Sequence, residues 1–172
     1  ETSRSKEPFK KHFFKKYGEI HRNLPVWMVS ELMSMGSLLT LLKGVGGEIA
    51  GKVSAHFGMA DELLLSWLRS LYAARNICAH HSRPWNRILG YAPSLPQKNK
   101  YPNWYLTDMN RECVLVNDRI GILLMICNSF LRQISPTSQW QKRVEELFAE
   151  YSEIPVKEMG LPEDWTNHPL WK

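Results

Sequence analysis

Residues 113–134 read CVLVNDRIGILLMICNSFLRQI. Cys113, Val116, Ile120, Leu123, Cys127, Phe130 and Ile134 recur every third or fourth position. That spacing puts them on one face of a helix and predicts a long amphipathic helix over about 108–133. C-terminal to it, a further helix is expected over 138–151. The tail beyond it carries Pro155, Pro162 and Pro169 and reads as extended chain laid on the surface. Upstream, Met59 to Ser82 reads as a helix with Asp61 near its N-terminus, where an acid suits the helix dipole. Pro84 stops it, because the residue before a proline is pushed out of the α region. The loop that follows, with Pro93, Pro96 and Pro102, is longer than a structureless connection usually is, and such loops are often functional.

Nearer the start, a helix over 48–57 ends at Gly58. Another over 26–43 follows Pro25 and carries Trp27, Leu32, Met35, Leu38, Leu39 and Leu42 at helical spacing. Lys6 to Gly18 reads as a basic helix closed by Gly18. No strand alternation and no internal repeat are visible. The expectation is an all-α bundle, one helical domain over 1–172, with a long Pro-rich loop and an extended C-terminal tail.

The 172 residues are 44% hydrophobic and 23% charged, which excludes a disordered tail, a collagen-like repeat and a disulfide mini-protein. No apolar run approaches the ~18 residues of a membrane span, so no membrane is expected. The first residues are charged throughout and start at Glu1, so the chain reads as a piece of something longer. Three widely spaced cysteines, Cys78, Cys113 and Cys127, make no disulfide framework. They read as buried free thiols of a reducing, cytoplasmic compartment. Cys78, His80 and His81 lack any paired C-x-x-C spacing, so neither a metal nor another cofactor is expected.

The net charge of +5 is unevenly spread. Residues 1–30 carry seven basic and three acidic groups, residues 83–103 four basic and none acidic, and residues 137–165 three basic and seven acidic. The basic segments would attract a polyanion by Coulomb force and counterion release.

One helix breaks its own pattern. With Leu64 at zero, Leu68, Leu71 and Cys78 fall within about 40° of it, and Arg75 falls at about 20°, amid the apolar stripe. A guanidinium stays charged, so it needs either a carboxylate partner or a cleft where an anion arrives. Glu31, the only acid of the preceding long helix, is the internal candidate, and would make Arg75 a structural residue. The surroundings suggest the other use. Arg75-Asn-Ile-Cys-Ala-His-His-Ser-Arg-Pro-Trp-Asn-Arg87 gathers three arginines, two histidines, two asparagines and a tryptophan. Arginine forks onto phosphate, histidine moves protons near neutral pH, and tryptophan stacks on bases. RNA cleavage through the ribose 2′-hydroxyl calls for these groups. On an ideal helix, however, His80 lies about 140° from Arg75 and His81 about 120° from it the other way. Either the helix distorts near Ala79, or two subunits pool their pairs across a two-fold axis.

The run R75-N-I-C-A-H80 matches R-N-x-x-x-H, the signature of HEPN domains, and RNICAHHSRPWNR resembles the Abi-like (abortive infection, AbiD/AbiF type) branch of that superfamily. Further matches are Pro25-Val-Trp-Met-Val-Ser-Glu31, Ser66-Trp-Leu68, and Met159-Gly-Leu-Pro-Glu-Asp-Trp165 with His168-Pro-Leu-Trp171. Relatives are longer at the N-terminus, and the chain looks like the C-terminal part of such a protein. The resemblance implies a HEPN bundle, a homodimer, and metal-independent endoribonuclease activity in phage defence. Arg75 and His80 would be the catalytic pair, with Asn76 the polar residue beside the arginine. His81, Arg83, Trp85, Asn86 and Arg87 are the expected RNA-binding residues. A toxic nuclease would also need a restraining, antitoxin-like partner. The rival reading is a non-catalytic helical RNA- or protein-binding module with a structural Arg75–Glu31 pair.

Overall fold

The computed structural model describes residues 4–105, 116–162 and 164–171. The described residues form seven α-helices and three short 3₁₀ turns, with no strand among them. The chain divides into two compact units, Glu1–Gly46 and Gly47–Lys172.

The first unit holds α1 (Pro8–Tyr17), α2 (Val26–Leu32) and α3 (Met35–Gly44). Proline at the first position of α1 costs no hydrogen bond, because that amide lacks a helical partner anyway. Phe13 is buried, with Phe14 edge-on at 5.5 Å and Tyr17 at 5.4 Å between ring centroids. The single helix expected over 26–43 is two. Met33 is extended, and Ser34 caps α3 by accepting from the Ser37 amide at 3.2 Å. A serine at a helix N-cap satisfies an amide that a continuous helix would have bonded itself, so the break is cheap.

The second unit holds α4 (Gly47–His56), α5 (Asp61–Ala79), α6 (Ile120–Ile134) and α7 (Trp140–Glu150). The α5 and α6 helices supply most of its core. Leu63, Leu64, Trp67 and Ala74 of the former are buried, as are Ile122, Leu123, Met125, Ile126 and Phe130 of the latter. Aromatic rings join the layers: Phe57 contacts Phe130 at 5.1 Å, Phe130 contacts Trp67 at 5.7 Å, and Trp67 contacts Trp104 at 4.9 Å. Such offset and edge-on pairs add stabilisation beyond their buried area.

The α6 helix begins at Ile120, later than its apolar period predicts. Val116 is exposed and non-helical, and Cys113 lies outside the described residues. The residues just before the helix serve another purpose. Asn117 Nδ2 donates to the Pro93 carbonyl at 3.1 Å, the Leu89 amide to the Asp118 carbonyl at 2.8 Å, and Arg119 Nη1 to the Asn86 carbonyl at 2.5 Å. Backbone and side chains that would have extended the helix instead hold the Pro-rich loop. The loop itself is packed down. Leu89, Pro93 and Pro96 are buried, and Ser94 is tied to α5 through Ser66 Oγ (2.8 Å) and Trp67 Nε1 (2.9 Å).

The tail is free of α-helix, as its prolines predict, but it does not lie on the surface. It makes two 3₁₀ turns, Val156–Met159 and Trp165–Asn167, and buries Met159, Leu161, Trp165, His168 and Trp171. Trp171 packs on Trp165 at 4.5 Å and on Trp140 at 5.8 Å, and donates to Glu145 Oε1 at 2.7 Å. Asn128 of α6 donates to the Leu170 carbonyl at 2.9 Å. Gly121 explains how the tail comes so close: a Cβ there would sit 2.6 Å from the Met159 carbonyl. Packing of Trp140, Trp165 and Trp171 outweighs the lack of regular structure, because burial area, not helicity, carries the hydrophobic gain.

Candidate active site

The α5 helix is buried over its first half and emerges toward its end. Leu64 and Trp67 are sealed, Leu68 and Leu71 are half-buried, and Arg75, Cys78, Ala79 and His80 are exposed. The apolar stripe therefore runs past the edge of the core. Arg75 does not interrupt a buried seam; it stands in solvent, and Cys78 is likewise exposed rather than buried. Cys127 is half-buried, and burial pushes its thiol up from the ordinary range, toward the unreactive protonated form.

The helix closes with a Schellman motif. The His81 amide donates to the Cys78 carbonyl at 2.9 Å and the Ser82 amide to the Ile77 carbonyl at 3.0 Å. That motif needs a left-handed residue, and His81 takes the role at φ 53°. It is the one non-glycine with positive φ among the described residues. For an ordinary L-residue this conformation costs about 1–2 kcal/mol. The chain turns sharply there, and Pro84–Arg87 follows as a tight turn closed by Arg87 N–H to the Pro84 carbonyl at 3.2 Å.

Arg75 and His80 each bond to Asn76, but their side chains leave the helix about 140° apart. Arg75 Nη1 donates to Asn76 Oδ1 at 3.2 Å, and the His80 amide donates to the Asn76 carbonyl at 3.1 Å. Asn76 thus touches the arginine with its side chain and the histidine with its backbone. On the wheel Asn76 stands at about 120°, between Arg75 at about 20° and His80 at about 160°. The helix does end at Ala79, with His80 as its C-cap. Because the His80 amide keeps its helical bond, the histidine leaves the axis where an ideal helix would place it.

The RNA-binding residues expected from the sequence sit on the turn and loop just beyond. His81, Arg83, Asn86 and Arg87 are exposed, and Trp85 is half-buried. Glu31 is exposed on α2, in the first unit. Three residues escape a sequence reading. Arg119 holds the Asn86 backbone, and the guanidinium of Arg69 stacks over the Tyr91 ring at 4.2 Å. The signal for Arg119 is the Asn117-Asp118 pair before it, a turn-forming dipeptide inside an apparently helical period. Nothing local marks Arg69 and Tyr91, whose meeting depends on the path of the loop. Among the described residues, no three His, Cys, Asp or Glu side chains gather into a metal-ligand set.

A surface with a forked cation, an amide, two imidazoles and further arginines, without an acid in 83–103, is suited to a phosphodiester. Comparison with known families matches residues 1–86 to the model described as Abi-like protein. The matched segment ends within the turn after α5 and includes Arg75, Asn76 and His80. No curated protein and no solved structure was found to match the chain.

Proposed function

The chain belongs to the Abi-like protein family, and from that premise we propose that it is a metal-independent endoribonuclease of an abortive-infection (phage defence) system, built on a HEPN-type bundle and active as a homodimer. The observation that carries this reading is the set of Arg75 and His80, both exposed, and half-buried Asn76 at the end of α5. Its arginine is presented to solvent and bonded to a neutral amide.

In this reading the ribose 2′-oxygen attacks the adjacent phosphorus and the bond to the 5′-oxygen breaks. One imidazole takes the proton of the 2′-hydroxyl and another protonates the departing oxygen, leaving a cyclic phosphate and a 5′-hydroxyl. Arg75 holds the phosphoryl oxygens as charge develops on them. Asn76 sets the direction of the guanidinium. His81, Arg83, Trp85, Asn86 and Arg87 hold the strand. Two copies of the pair across a two-fold axis bring together what one helix keeps about 140° apart. An antitoxin-like partner restrains the activity in the cell.

The test is cleavage of single-stranded RNA in EDTA by the purified protein and by His80→Ala. The expected result is cleavage with cyclic-phosphate ends, reduced about 10²- to 10⁴-fold in the variant. Dimeric protein that binds RNA and leaves it intact, or equal cleavage by both proteins, overturns the proposal.

A further inference from the structure

The nuclease reading accounts for the end of α5 but not for Arg69 and Tyr91. Arg69 stands at about 140° on the wheel, within about 20° of His80, and about 16 Å before it along the axis. Asn76 lies on the same face between them, as does the small Ala73 at about 180°. The Pro-rich loop returns along the helix, as its bonds to Ser66 and Trp67 show, and sets Tyr91 beside Arg69. Tyr91 as a residue is 50% exposed, and among the described residues its hydroxyl has no hydrogen-bond partner. A large ring that fills no core and uses no polar tip, yet is held flat by a cation, is an available stacking platform.

We infer that the Arg69–Tyr91 stack is a second RNA subsite. Tyr91 offers its outer face to an unpaired base and Arg69 offers its free donors to a neighbouring phosphate, a few nucleotides away from the bond cleaved at His80. The inference rests on the nuclease reading for the choice of RNA. It goes beyond that reading in naming a single-stranded substrate long enough to span both places. The geometry is favourable because the platform is built in advance: the loop is anchored at Ser94 on one side, and at Leu89 and Asn86 on the other. A pre-ordered subsite binds without a large ordering penalty. Stacking of one base on an aromatic ring contributes about 1–3 kcal/mol and tolerates any sequence, because every base has a π-face.

The experiment measures fluorescence anisotropy of labelled oligouridine of two and of eight nucleotides, in the cleavage-silent His80→Ala background. Tyr91→Ala is expected to weaken the octamer about 5- to 150-fold and leave the dinucleotide unchanged. Tyr91→Phe is expected to keep the octamer affinity, and Tyr91→Leu, which preserves packing without a ring, is expected to lose it. Arg69→Gln is expected to lower the salt-dependence slope by about 0.7. Octamer binding that Tyr91→Ala and Tyr91→Leu leave unchanged overturns the subsite and leaves the nuclease proposal standing. Binding that depends on Tyr91, in a protein with an intact His80 that does not cleave, overturns the nuclease proposal and supports the subsite. Failure of the octamer to bind at all overturns the subsite, and the nuclease proposal is then decided by the cleavage assay in EDTA.

Discussion

Asn76 connects the two residues on which the chemistry is proposed to depend, and it does so with different atoms. Its side-chain amide oxygen accepts a hydrogen bond from Arg75, and its backbone carbonyl accepts one from the His80 amide. Only the first bond can be removed by substitution. Asn76→Ala is therefore expected to cut RNA cleavage by at least about tenfold while leaving the melting temperature nearly unchanged, since a surface side chain away from the core shifts stability by no more than about 0.5 kcal/mol. Arg75→Lys keeps the charge but removes the planar fork, and is expected to be almost as damaging as Arg75→Ala. Paired cleavage assays and thermal melts of the three variants check both statements. A lysine variant with full activity would show that charge alone suffices.

Among the elements, the end of α5 is the one under strain. His81 occupies a left-handed position that glycine fills at no steric cost. His81→Gly is expected to stabilise the protein by about 1 kcal/mol, seen as a higher denaturant midpoint at unchanged slope. If the imidazole also serves RNA, the same variant binds RNA more weakly although it is more stable, a trade characteristic of functional positions. The start of α6 shows a related compromise. Its apolar period continues upstream, but Asn117, Asp118 and Arg119 leave the helix to tether the loop beside α5. Three hydrogen bonds to a loop thus replace about one turn of helix, and the loop that carries Arg83, Asn86 and Arg87 gains a fixed position.

At the scale of the whole molecule, two properties can be measured. The first is assembly. If the site pools residues from two subunits, a mixture of Arg75→Ala and His80→Ala proteins regains cleavage that neither has alone, through dimers holding one intact copy of each. Mixing that restores nothing points to a site complete within one subunit. The second is acid sensitivity. His168 is buried in the tail, where Nδ1 accepts from the Leu170 amide at 3.2 Å. Burial lowers its pKa and outweighs the opposing pulls of the Trp104 backbone and Asp164. The folded chain therefore takes up the proton only at lower pH than the unfolded chain, which protonates the ring as pH falls through about 6.5. The unfolded state then binds more protons, so stability declines from pH 7 toward 5. His168→Asn retains a short acceptor and cannot titrate. Its melting temperature is expected to change less over that range than that of the unaltered protein.

The helical class, the position of most helices, the proline-rich loop and the cluster at the end of α5 are all legible in the order of residues. Each is written in local signals: apolar spacing of three and four, a proline that stops a helix, and residue types gathered within thirteen positions. Other features were decided only by tertiary structure. Whether Arg75 is buried depends on where the core ends, and a helical wheel gives direction but not depth. The break at Ser34 and the late start of α6 arise because a side-chain cap and a tethered loop compete with continuing the helix. The tail looks extended to any local rule, yet it is buried because tryptophans far apart in sequence find one another and α6. The meeting of Arg69 with Tyr91 is of the same kind. Hydrophobic burial and ring packing reward proximity in space, and proximity in space is not a local property of the chain.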